Sequence, residues 1–234
     1  MHNGLFWQNQ FEIEFIPANE RIASTFLNRL LPSFNSIDEE AEKYAKKIYN
    51  EFCSRADPEG DADPSIFAEN AHEAGINYFS SMIEFKQGLC NVAVVMLYHC
   101  FEQHLMLFHR KELLSPQEEN EKNLLCLLEI KKRLQKHGID IEKFPIWNKI
   151  EELRCLVNTI KHGQGVSSAK LFKKRPDLFQ SPSIKELCGI FESKPSHSVF
   201  TPLLGDDIYV QKGDIVAYAN TITEFWKELG KKII

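Results

Sequence analysis

Four side chains at helical intervals, Glu151, Arg154, Asn158 and His162, with Lys161 beside the last, are the residues whose types and spacing could do chemistry. An imidazole titrates near neutrality and serves as general acid or base. An amide orients a phosphate or a water without changing charge, and a guanidinium or ammonium meets phosphoryl oxygens. Asn158 lies four positions after Arg154 and four before His162, so on a helix the three stack along one flank, with Glu151 one turn earlier. The set suits RNA cleavage without a metal. His162 would act as base or acid toward the ribose 2'-hydroxyl, Asn158 would orient, and Arg154 or Lys161 would clamp the phosphate. A solvated helix face carries the same residue types, and that reading stands beside the chemical one.

These residues need a helix to hold them. Ile146, Ile150, Leu153, Val157 and Ile160 recur on the other side of the same segment, which predicts an amphipathic helix over 146–162. Gly163 and Gly165 permit a sharp exit, leaving His162 at a helix C-terminus, where the dipole favours imidazolium. Beyond the turn, Lys170, Lys173, Lys174 and Arg175, interleaved with Leu171 and Phe172, form a short basic helix over 168–175 that could extend a phosphate-binding surface. On an earlier helix, Val94, Leu97, Phe101, Leu105 and Phe108 make the apolar side. His99, Glu102 and His109 lie opposite as supporting groups, and Glu102 can pair with a histidine of its own helix or with Arg154. His104 sits nearer the apolar flank and reads as a packed histidine.

The remaining elements are also mostly helical. Residues 11–16 alternate like a short strand or extended arm stopped by Pro17, and 208–210 suggest another brief strand. Helices are expected over 19–30 and 38–52, then from Pro64 behind the capping Asp63. Gly75 and Gly88 suggest that 64–114 is two helices meeting near Gly88, the second spanning 87–114. Ser115, Pro116 and Glu118 have the pattern of a capped start for a helix over 116–136 that ends at Gly138. Asp214 is placed to cap a last helix ending near Gly230. The loop over 55–63 and the irregular stretch 181–200 separate these parts. The expected architecture is all-α: an antiparallel helical bundle with accessory N- and C-terminal elements, in one domain over 1–234 with 64–162 as its main body.

Size and charge bound the function. With 234 residues, 43% hydrophobic composition, and seventeen phenylalanines, the chain can build one sizeable core. No apolar run reaches the roughly 20 residues of a membrane span, and residues 1–7 lack a basic leader and apolar stretch, so cytoplasmic residence is expected. A net charge of -5 gives no global attraction to nucleic acid, which confines any RNA contact to a local basic patch. Cys53, Cys90, Cys100, Cys126, Cys155 and Cys188 are scattered without zinc spacing and read as reduced thiols. Neither HExxH nor paired ExxH occurs, so no metal or cofactor is expected. P-loop, dinucleotide and esterase-elbow motifs are also missing.

The segment 154–163, Arg-Cys-Leu-Val-Asn-Thr-Ile-Lys-His-Gly, following a helical bundle pattern, resembles the distal part of proteins in the HEPN superfamily. The likeness is closest from Asn158 to His162 and looser over 64–162; Arg154 stands further before the histidine than that family's usual arginine. The resemblance implies a small helical protein that dimerises and brings arginine and histidine into an RNA-cleaving cleft. Such proteins serve in toxin–antitoxin or anti-phage systems. Members that have lost catalysis imply the alternative, a HEPN-like interaction or regulatory protein with a protein partner.

Overall fold

The computed structural model describes residues 3–55, 63–182 and 198–234, and among these the fold is all-α. The chain opens with a nearly continuous helical rod over residues 4–34. It comprises α1 (Gly4–Gln10), a π-helical turn (Phe11–Phe15), α2 (Ile16–Thr25), a second π turn (Phe26–Leu30) and a closing 3-10 turn (Leu31–Phe34). The strand expected over 11–16 is therefore helix. Trp7, Phe11 and Phe15 recur every fourth residue and are buried, whereas Ile13 is exposed, so period 3.6 overrides the apparent alternation. Pro17 ends nothing. The N–H of Ile16 reaches back to the carbonyl of Phe11, and this widened turn accommodates the missing proline donor.

Helix α3 (Ile37–Arg55) and the first half of α4 (Pro64–Phe108) form a hairpin. Its rungs are Tyr44 on Tyr78 and Phe52 on Phe67, and because the partner's position falls on α4 as it rises on α3, the two helices are antiparallel. Asp63 caps α4 as expected, accepting the Ser65 N–H at 2.8 Å, with Pro64 in the first turn.

A junction near Gly88 is absent: α4 runs 45 residues unbroken, roughly 67 Å at 1.5 Å per residue, and continues into a π turn (His109–Leu113). The glycines serve contact instead. A Cβ on Gly75 would stand 2.9 Å from the Ala45 Cβ, and one on Gly88 would fall 2.4 Å from the Leu203 carbonyl oxygen. Helix interiors tolerate such glycines where another backbone must approach closely.

The helix expected over 116–136 is α5 (Leu127–Lys136) alone. The Ser115 N–H and hydroxyl both bond Glu118 at 2.9 Å, but Arg133 also draws on that carboxylate at 2.7 Å, and this knot closes a turn without propagating it. Helices α6 (Trp147–His162) and α7 (Val166–Lys174) follow closely the boundaries read from sequence. The last helix, α8 (Lys212–Lys232), begins at Gln211, whose N–H bonds Asp214 at 2.9 Å. Residues 208–210 form no strand. The Asn91 amide on α4 donates to the Ile208 carbonyl at 2.8 Å and accepts the Val210 N–H at 3.3 Å, so a side chain replaces a neighbouring strand.

The core lies where the second half of α4, α6, α8 and the amino-terminal rod meet. Phe101, Phe108, Phe225 and Trp226 pack with Phe11 and Phe15, the Phe11 and Trp226 rings 4.8 Å apart. The apolar side read on α4 is buried throughout, from Val94 to Phe108. Residues 56–62 of the expected early loop and 183–197 of the irregular stretch, with Cys188, lie outside the described residues. No described helix is long and apolar enough to cross a membrane.

Candidate functional site

Helix α6 forms here because Ile150, Leu153, Leu156, Val157 and Ile160 are all buried against the core. At 100° per residue, Glu151, Cys155, Asn158 and His162 then form one line along the outer surface, and Arg154 and Lys161 form the line beside it. The turn that follows is pinned. Gly163 has a φ of 70°, Gln164 N–H bonds the Val199 carbonyl at 2.9 Å, and a Cβ on Gly163 would lie 3.0 Å from that oxygen. His162 is thereby held, exposed, at the open end of α6.

On one side this surface meets α4. Lys161 Nζ donates to His99 Nε2 at 3.3 Å, and His99 Nδ1 bonds Glu102 at 3.0 Å. These two contacts assign the Nδ1–H tautomer to His99, its proton directed at the carboxylate. The structure thus selects His99 as the partner of Glu102. Beneath them Tyr98 is buried, and its phenol is pushed well up by desolvation, then by the nearby Glu102. On the other side stands α7. Burial raises the Cys155 thiol, and Glu151 adds to the rise. Lys174 and Lys170 oppose it from across the α6–α7 hairpin. The Asn158 and His162 line thus runs along α6 between the α4 side, which carries His99 and Glu102, and the α7 side, which carries Lys170 and Lys174.

The arginine is placed differently. Arg154 bonds Glu151 at 3.2 Å, one turn toward the helix N-terminus, as helical side chains lean. Lys131 shares Glu151 at 4.0 Å. Arg154 and His162 are eight residues apart, about 12 Å along the axis, and the guanidinium leans away from the imidazole. Among the described residues neither the Asn158 amide nor the His162 ring has a hydrogen-bond partner.

Two expected site residues lie elsewhere. His109 is fully buried, with neither ring nitrogen bonded, and desolvation lowers it to about 4 with Arg133 adding to the effect. Its N–H still bonds the Leu105 carbonyl, so the helical pitch sets it about 40° from Leu105 and places it on the core flank rather than opposite the apolar side. Arg175 turns inward rather than joining Lys170, Lys173 and Lys174 on the surface. It bonds Asp177 at 2.6 Å, Asp214 at 2.8 Å, Glu152 at 3.3 Å and the Tyr218 hydroxyl at 3.4 Å. Hydrogen bonding to Asp177 raises Arg175 further against the opposing cost of burial. Burial opposes ionisation of Glu152, yet Lys149 and Tyr218 hold it below the ordinary carboxylate range. This clasp ties α6, the end of α7 and α8 together.

The groove at the end of α6 has a wall that sequence reasoning missed. A cavity of about 570 Å³ is bounded by Lys161, His162, Gln164, Val199 and Phe200. Phe200 is 75% exposed, with its N–H and that of Thr201 both bonded to Asp207 Oδ2, at 2.7 and 2.9 Å. An aromatic residue outside any periodic segment was the available signal. Among the described residues no cluster of histidine, cysteine or carboxylate could hold a metal ion. A comparison of the chain with protein families, characterised proteins and solved structures finds no match.

Proposed function

We propose that the end of α6 is a site for metal-independent cleavage of single-stranded RNA. The observation that carries this reading is one groove that gathers the His162 imidazole, the Lys161 ammonium and the exposed Phe200 ring. Single strands bind where a cation tracks the backbone and an aromatic face stacks a base. His162 then stands at the phosphate as acid or base, Asn158 orients a phosphoryl oxygen or the attacking hydroxyl, and Lys170, Lys173 and Lys174 extend the cationic track along α7. The resemblance of 154–163 to HEPN proteins supports the same reading, including a homodimer and a role in toxin–antitoxin or anti-phage defence. Purified protein in EDTA should convert a labelled single-stranded RNA to fragments ending in a 2',3'-cyclic phosphate. His162→Ala should abolish these ends, and Phe200→Ala should weaken RNA binding about tenfold by losing one stacked base. Cleavage that persists in folded H162A refutes the role of His162.

A second reading has its own support. Arg154 is tied to Glu151 and leans away from His162, so it does not meet a phosphate bound at that imidazole. We therefore carry forward a catalytically inactive interaction protein as the alternative. It predicts intact RNA with the wild-type chain and a protein partner that H162A retains on co-purification from its native host.

A further inference from the structure

We infer a second ligand site, separate from the His162 groove and divided from it by the loop of residues 201–206, in the cavity between the middle of α4 and the first turn of α8. We propose that it binds a small phosphomonoester with a flat, amine-bearing body, of the nucleoside monophosphate type. The cavity has a volume of about 510 Å³, within the usual range for small-molecule pockets. Cys90 lines it, 6% exposed and without a hydrogen bond among the described residues. Lys86 from α4 and Lys212 from the start of α8, 126 positions apart in sequence, both bear electrostatically on that thiol, and neither is in an ion pair among the described residues.

The start of α8 borders the same cavity. Gln211, Lys212 and Gly213 at the start of this 21-residue helix line the cavity, and a Cβ on Gly213 would meet nothing within 4 Å, so the backbone there is open to a ligand. Two ammonium groups lining one cavity beside a buried thiol match a phosphate dianion better than a neutral ligand. The rest of the lining suits an organic body. Leu31 and Ile83 supply apolar wall, and the Tyr209 ring is steadied by its hydroxyl bonding Asp206 at 3.3 Å. Glu84 and Asp206 also line the cavity as acceptors for an amino group, which is why an aminated base is favoured over a bare sugar phosphate.

The test uses the full chain and adenosine monophosphate as probe, with adenosine and inorganic phosphate as comparison arms, at fixed ionic strength. Calorimetry should give saturable one-to-one binding of the nucleotide, weakened about tenfold by either Lys86→Gln or Lys212→Gln and unaltered by His162→Ala. Adenosine should not bind, and phosphate should bind more weakly than the nucleotide. Independently of any variant, the nucleotide should slow alkylation of Cys90 by iodoacetamide, read by peptide mass. Binding that survives the double lysine substitution overturns the proposal, as do phosphate binding as tight as the nucleotide and the absence of both heat and Cys90 protection at millimolar probe.

Discussion

Replacing His109 by leucine should make the protein less sensitive to mild acid, because the wild-type imidazole is buried without a partner for either nitrogen. Desolvation lowers its pKa from the ordinary 6.5 to about 4. A base whose folded value is depressed is protonated first in the unfolded chain, so stability is intact above pH ~6.5 and falls as pH drops toward ~4. Between pH 7.5 and 5 the linkage integral is about 2 kcal/mol, an upper value that local relaxation around the charged ring reduces toward about 1. His104, lowered by burial against the Phe15 ring, titrates in the same direction and remains in the variant, so the difference between the two proteins isolates His109. Glu118, held at about 2 chiefly by its hydrogen bond from Arg133, loses its contribution only below the ordinary carboxylate range, outside this window. Urea unfolding at pH 7.5, 6.5, 5.8 and 5.0 should show the wild type losing about 1–2 kcal/mol more than His109→Leu across the series. Parallel pH profiles for the two proteins refute the assignment of His109 as a neutral core residue.

The other expectations concern what holds the site in place. Arg175→Met should destabilise the fold by about 3 kcal/mol or more in urea unfolding, since Glu152 and Asp214 would keep their charges without the guanidinium between them. Arg175→Lys should recover only part of this, because one ammonium cannot match the fork that serves Asp177 and Asp214 together; a loss under about 1 kcal/mol for the methionine variant would mean that the clasp contributes little. Gly205→Ala should cost more than about 2 kcal/mol of thermal or urea stability. Its φ is +94°, and the new Cβ would fall 1.9 Å from the Glu84 carbonyl oxygen, so the loop would have to leave α4. A neutral Gly205→Ala would show that this loop approaches α4 less closely.

Much of the helical framework was legible in the sequence. The burial pattern of Val94 to Phe108, the limits of α6, the Asp63 cap and the turn at Gly163 all rest on signals carried by residues within a few positions of one another. The same holds for the alignment of Asn158 with His162, which follows from helical pitch alone. Errors arose where one local pattern admitted two readings. Phe11, Ile13 and Phe15 fit period 2 as well as period 3.6, and only the arrival of Trp226 and Phe108 buries the fourth-residue set and exposes Ile13. Gly75 and Gly88 look like breaks until Ala45 and Leu203 come within reach of their missing side chains. Arg175 belongs to a basic run by sequence, but Glu152 and Asp214, 23 positions before it and 39 after, draw it inside. Helical periodicity is a property of neighbours along the chain, and so the sequence by itself determined an all-α fold and the helix that carries His162. Which charges find partners, which glycines meet a backbone, and that Phe200 stands beside His162 while Arg154 leans away depend on contacts between remote segments, and only the tertiary structure decided them.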